Sequence, residues 1–212
     1  MYKAALIDMD GFLINSEELY LEANKIYFKQ FNFEFTEAMH RQGIGQKFNK
    51  WITTVFLTDK SGEEILQERN VVFFDLVAHK LALLDGAQEL LTLLHGNFKT
   101  ALVTSTERSY VDIVFEKTNI SEYFDILVTG DMITHGKPDP ECYNLAAQKL
   151  GVEPLECVVF EDASVGVLAG KNANMKVIAV PNQYNKGDEA FLQADLVLDN
   201  LRDITLEKIN LL

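Results

Sequence analysis

Short apolar runs alternate with helix-spaced stretches over most of this chain, and one long block lacks such runs altogether. Ala4-Ala5-Leu6-Ile7 is apolar throughout and stops abruptly at Asp8-Met9-Asp10-Gly11. A run of this length ending in a turn predicts a buried strand of a parallel sheet. Thr100–Val103, Ile126–Val128, Val158–Phe160 and Val177–Val180 predict four more strands. Helices fall between them: Ala87–Leu94 with Gly96 as its stop, a segment near Tyr110–Lys117, and one opening at Asp139-Pro140 and closing at Gly151. The last has an acid at the N-cap, proline at the first helical position and glycine behind it. Another helix precedes Val177, and the residues after Val180 read as a short tail. Strands alternating with helices predict an α/β fold with a doubly wound parallel sheet.

The block without strand signals runs from Ser16 to about Lys80. Ser16-Glu17-Glu18 suits a helix start with acids in its first turn. Leu19, Ala23, Ile26 and Tyr27 form a helix-spaced stripe, and Thr36 opens a second helix that Gly43-Ile44-Gly45 breaks. Lys47–Leu57, carrying Trp51, reads as a third helix. Ser61-Gly62-Glu63-Glu64 has capping-box spacing and starts a long fourth. These four helices read as a small bundle inserted just after the first strand.

Composition narrows the partners. The 212 residues suffice for one ample core carrying a smaller insertion. Net charge of −13 argues against a nucleic-acid backbone or an anionic membrane as partner. No apolar run approaches the roughly 20 residues that span a bilayer, and the first residues lack the zones of a signal peptide. Cys142 and Cys157 have no metal-ligand spacing, so reduced thiols in a cytoplasmic protein are the expectation. The expected oligomeric state is a monomer.

Residues just after predicted strands should gather at one sheet edge, where open α/β sheets bind ligands. They are Asp8 and Asp10, Thr104 and Ser105, and Glu161 and Asp162; Lys137 joins them from the loop His135-Gly136-Lys137-Pro138-Asp139-Pro140. Acids held close together repel, and call for a metal ion, a shared proton or both. Four acids suit an oxygen-ligated hard cation such as Mg²⁺. A lysine and a hydroxyl pair suit a phosphoryl group that must be held and neutralised.

At these residues the sequence resembles the haloacid dehalogenase-like hydrolase superfamily, in the branch of β-phosphoglucomutase-like proteins and small-molecule phosphatases. Asp8-Met9-Asp10-Gly11, Val103-Thr104-Ser105, Lys137-Pro138-Asp139-Pro140 and the segment from Phe160-Glu161-Asp162 to Gly170 fit its four motifs. The resemblance implies a Rossmann-like core of residues 1–15 and 84–212 and a four-helix cap of residues 16–83. It implies a Mg²⁺-dependent phosphatase acting on a small phosphorylated metabolite, a sugar phosphate or a nucleoside-type monophosphate, through an aspartyl-phosphate. Asp8 would be the nucleophile and Asp10 the acid–base that protonates the leaving oxygen and then activates water. Asp8, Asp162 and the Asp10 carbonyl would ligate Mg²⁺, with Glu161 completing or orienting the shell. Lys137 would bridge nucleophile and phosphoryl oxygens, and Thr104 with the Ser105 N–H would hold the transferring group. The cap segment Gly43–Lys47, with Gly45 and Lys47, would read the substrate. Asn15 stands where the branch commonly has an acid, which removes a charge at the cap hinge.

A phosphomutase on the same chemistry is the alternative, although Ser16-Glu17 resembles the phosphatase members more. A dehalogenase would not need Asp10, Glu161 and Asp162 as a metal site, and a phospho-aspartate receiver module would be much shorter. Trp51 and the phenylalanines of the helical block read as bundle core, His40, His79 and His95 show no ligand spacing, and His135 beside the lysine loop reads as a surface histidine.

Overall fold

The computed structural model describes residues 2–212; Met1, with which the expected core begins, lies outside them. In chain order, β1 (Ala4–Ile7) is followed by α1 (Ser16–Lys29), α2 (Glu37–Gly43), α3 (Phe48–Val55), α4 (Gly62–Lys80), α5 (Ala87–His95), β2 (Lys99–Val103) and α6 (Arg108–Thr118). Then come β3 (Ile126–Val128), α7 (Glu141–Leu150), β4 (Cys157–Glu161), α8 (Ser164–Asn172), β5 (Lys176–Ala179), β6 (Leu196–Val197) and α9 (Leu206–Asn210). The chain divides into two compact units: an α/β unit, reaching Ile14 and resuming over Ala82–Leu212, and a helical unit, Asn15–Leu81.

In the α/β unit, six parallel strands lie in the order β3-β2-β1-β4-β5-β6. The sheet is Rossmann-like. β1 sits inside it, with Leu6 opposite Ala101 of β2 and Val159 of β4. All four β1 residues are buried because both faces are covered, which is why the run reads as continuously apolar. On one face Leu6, Val103, Val159 and Val177 pack with Tyr143, Ala146 and Ala147 of α7 and Val167 of α8. Strand order reverses at β1 and β4, so the crevice beyond their carboxyl ends is the expected ligand site.

In the helical unit, α1 packs along α4, which also receives α3. Ser61 and Glu64 form the expected capping box, and Thr36 caps α2 by accepting from Met39 N. No helix among the described residues is long and apolar enough to cross a membrane.

Three local expectations are corrected. The N-cap of α7 is Pro140, not Asp139: Pro140 O accepts the first helical bond from Asn144 N at 3.0 Å. Asp139 still serves the helix start, its Oδ1 accepting from Glu141 N at 3.0 Å. Ile26 is 47% exposed, because the buried face of α1 runs through Leu19, Ala23, Tyr27 and Phe28. The segment after Val180 is more than a tail, since it supplies β6 and α9. Two residues are too few to give a strand signal; β6 is secured by Asp195 N to Val177 O and Leu198 N to Ala179 O, both 2.9 Å.

Candidate active site

Each acid or hydroxyl marked in the sequence lies at the last residue of a strand, as Glu161 does, or just beyond it. Asp8 N bonds Phe160 O of β4 at 3.0 Å, Thr104 N bonds Val128 O of β3 at 3.0 Å, and Val180 N bonds Glu161 O at 2.8 Å. The turn tips of β1, β2 and β4 are therefore welded to the sheet. A rigid frame of this kind holds functional groups with little reorganisation.

Lys137 links the carboxylates. Its Nζ donates to Asp8 Oδ1 at 2.5 Å and to Glu161 Oε1 at 2.6 Å. The three side chains are only 6%, 10% and 0% exposed, in that order. Burial alone would lower the Lys137 pKa, but the two carboxylates outweigh it and hold the ammonium well above the usual lysine range. Burial pushes the Asp8 carboxyl up, Lys137 opposes this, and Glu161 and Asp10 add to the rise. A divalent cation at Asp8 would act in the opposite direction and favour the carboxylate.

Glu161 is saturated with donors. Oε1 also accepts from Tyr143 OH at 2.7 Å, and Oε2 accepts from Asp162 N at 3.1 Å and Ala163 N at 3.0 Å. A Cβ on Gly166 would overlap this carboxylate, so only glycine lets the first turn of α8 pass so close. Asp162 is oriented by the segment after β5: Asn182 Nδ2 donates to its Oδ2 at 2.8 Å, and Asn185 Nδ2 to its carbonyl at 2.7 Å.

The buried carboxylates of Asp8, Glu161 and Asp162 bring ligand oxygens within 4.8 Å of one another. An all-oxygen donor set of this compactness fits Mg²⁺. With Glu161 already holding four donors, Asp8 and Asp162 suit direct ligation and Glu161 suits orienting its neighbours.

Asp10 lies apart from that triad and is held by hydroxyls. Thr104 Oγ1 donates to Asp10 Oδ2 at 3.1 Å and Thr106 Oγ1 to the same oxygen at 2.7 Å. Thr106 N in turn donates to Thr104 Oγ1 at 3.1 Å, locking the turn. Ser105 occupies the same turn and is exposed. A Cβ on Gly130 would collide with the Ser105 carbonyl, so that glycine lets the β2 and β3 turns approach.

In the helical unit, Gly45 (φ +77°) lines a cavity, whereas Lys47 is exposed and outside that lining. Asn15 Nδ2 donates to Lys80 O at 3.1 Å, tying the start of α1 to the end of α4. A carboxylate could not donate that bond. His40 is buried against Glu17, and His135 is exposed and bonded to Glu141. Burial pushes the Cys142 thiol up to about 11 and that of Cys157 to about 12, which disfavours either as a nucleophile.

The sequence reading omits Thr106, Tyr143, Asn182 and Asn185. Thr106 stands one alternation beyond Thr104, and Asn182 follows β5, so the strand-end rule extended by one strand reaches it. Tyr143 carries no signal beyond its place in an amphipathic helix.

A sequence profile of the haloacid dehalogenase-like hydrolase family matches residues 5–180. The chain belongs to that family. Within it the chain falls in the small-molecule phosphatase branch. It is 32% identical over 209 residues to the validoxylamine A 7'-phosphate phosphatase of Streptomyces hygroscopicus subsp. limoneus, covering 96% of each chain. It is 33% identical over 204 residues to a phosphorylated carbohydrates phosphatase of Thermotoga maritima, covering 92% of each. Among solved structures, CbbY from Rhodobacter sphaeroides in complex with phosphate superimposes with a TM-score of 0.80 at 27% identity, over 96% of each chain.

Proposed function

We propose that this hydrolase removes phosphate from a small phosphorylated carbohydrate or polyol in a Mg²⁺-dependent reaction through a phospho-aspartate on Asp8. The observation that carries the reading is the Lys137 ammonium, buried between Asp8 at 2.5 Å and Glu161 at 2.6 Å. That placement keeps positive charge where an anionic nucleophile must meet an anionic phosphoryl group. The relatives named for phosphorylated sugars and sugar-like compounds supply the substrate class.

Asp8 attacks phosphorus, and Asp10 gives its proton to the leaving oxygen. Asp10 then takes a proton from the water that attacks the phospho-aspartate, and Asp8 is regenerated. Thr104 and Thr106 hold Asp10 for both transfers, and the Ser105 N–H and Lys137 hold the phosphoryl oxygens. Asp8, Asp162 and the Asp10 carbonyl would hold Mg²⁺, which supplies charge neutralisation and template geometry when bound. The helical unit is assigned the role of a substrate-selecting cap. Cytoplasmic placement fits the two buried free cysteines.

Steady-state hydrolysis of p-nitrophenyl phosphate with Mg²⁺ tests the reading. Turnover should vanish in Asp8→Asn and on chelation; full turnover in Asp8→Asn would overturn it. With a panel of sugar phosphates, stoichiometric inorganic phosphate distinguishes hydrolysis from isomer formation by a mutase.

A further inference from the structure

The three clustered acids of the α/β unit each have an oxygen already engaged by a donor. Asp8 Oδ1 accepts from Lys137 Nζ, and Glu161 has both oxygens engaged by four donors. Asp162, 3% exposed, accepts at Oδ2 from Asn182 Nδ2 at 2.8 Å. This last donor lies outside the four motif segments and has no part in the chemistry proposed above.

The turn around Asn182 keeps that bond in place. Val180 N, bonded to Glu161 O at 2.8 Å, brings the chain off β5 beside Asp162. Asn182 Oδ1 accepts from Tyr184 N at 2.8 Å, which fixes the amide's orientation and turns its N–H donors toward the carboxylate. Lys186 N closes the turn on Asn182 O at 3.0 Å. From the same turn Asn185 Nδ2 donates to the Asp162 carbonyl at 2.7 Å. The two amides therefore act on different atoms, Asn182 on the carboxylate and Asn185 on the backbone. On its other side Asp162 N donates to Glu161 Oε2 at 3.1 Å, so the residue is gripped at three points.

Hard cations differ in what they take from a carboxylate. Ca²⁺ accepts about 6–8 oxygens in a flexible shell, often two from one carboxylate, whereas Mg²⁺ demands near-octahedral geometry and keeps several waters. We propose that Asn182 is a positioning residue that sets the cation selectivity of this site. By holding Oδ2 it confines Asp162 to ligation through a single oxygen, which suits Mg²⁺ and penalises Ca²⁺. The inference rests on the metal site of the phosphatase reading and adds to it a residue that touches neither substrate nor cation. For Ca²⁺ to chelate through both oxygens, the amide bond must be given up. A hydrogen bond to a charged group is worth roughly 10- to 150-fold in a binding constant. Asn182 is only half-buried, so the lower end of that range applies.

Isothermal titration calorimetry of the chelator-stripped full chain with Mg²⁺ and with Ca²⁺ measures both affinities without turnover. Asp162→Asn, titrated in parallel, gives the background from the other acids of a chain with net charge −13. Wild type should prefer Mg²⁺. In Asn182→Ala that preference should fall about 10-fold, chiefly because Ca²⁺ binds more tightly. Asn182→Asp keeps an acceptor for Tyr184 N, and so keeps the turn, but cannot donate; its preference should fall as well. Asn185→Ala should weaken both cations alike, since it releases the backbone and not the carboxylate. Equal affinity of the wild type for the two cations overturns the proposal without any variant. So does an unchanged preference in Asn182→Ala and Asn182→Asp, including one in which both cations weaken together. Either result leaves the phosphatase reading standing, because that reading fails on full turnover in Asp8→Asn.

Discussion

Replacing Lys137 by methionine tests the electrostatic logic of the α/β unit most directly. Methionine keeps much of the stem's volume and deletes the ammonium that donates to Asp8 and Glu161 at 2.5 and 2.6 Å. Both carboxylates would remain buried, Glu161 with no exposed surface at all. Removing one partner of a buried ion pair costs about 3–5 kcal/mol, mainly because the other charge is left uncompensated. Glu161 keeps three other donors, from Tyr143, Asp162 N and Ala163 N, so Asp8 bears most of the loss. For a chain of this size the melting temperature should fall by about 6–20 °C. Calorimetry with a chelator present reads this without a divalent cation masking the charge. The chain has two compact units, so the shift belongs to the transition that unfolds the α/β unit. A double-mutant cycle with Asp8→Asn isolates the pair: Lys137→Met/Asp8→Asn should recover about 1–3 kcal/mol relative to additivity. Strict additivity, or an unchanged melting temperature in Lys137→Met, would refute the reasoning.

Two further outcomes follow from the contacts around the site and at the far sheet edge. Thr106→Val removes the 2.7 Å bond to Asp10 Oδ2 and leaves that from Thr104, so kcat should drop at least about 10-fold while KM changes little; a pure KM effect in steady-state assays would contradict a role at Asp10. Asp195 accepts from Lys171 at 2.6 Å, Lys176 at 2.7 Å and Val177 N at 2.9 Å. Burial alone would raise its pKa, but these donors outweigh it and hold the carboxyl below its usual range. A depressed folded value means that the contribution is complete above the unfolded value of about 3.9 and disappears as pH falls through the folded one. Denaturant titrations should therefore show Asp195→Asn less stable by about 1–3 kcal/mol near neutrality, with the gap closing below roughly pH 4. A gap that persists unchanged to pH 2 would contradict the assignment.

The strands that place the site were legible because they are buried on both faces and read as unbroken apolar runs. Their polar terminators, Asp8, Thr104 and Glu161, stood out for the same reason. The helical unit was legible from helix spacing and from the Ser61–Glu64 cap. What escaped depends on contacts between distant positions. Tyr143 reaches Glu161 only because α7 packs under β1, and nothing in its own neighbourhood signals this. Arg69 reads as a charged residue on a long helix, yet it is buried among rings contributed by α1 and α3 as well as α4. Local periodicity carries no information about which charges another helix will cover.

The order in which the sheet is assembled has a consequence for biosynthesis. β1 leaves the ribosome first among the strands, but its partners β2 and β4 lie far downstream, with α1–α4 emerging before either. Long-range parallel pairing is slow, because chain closure precedes the reward of contact. A nascent polypeptide short of Glu161 therefore leaves the β4-facing edge of β1 open to misassociation, although β2 and β3 can already pair on its other side. Chemical competence should appear late and all at once, when β4 slides in beside β1 and seats Glu161 against Lys137.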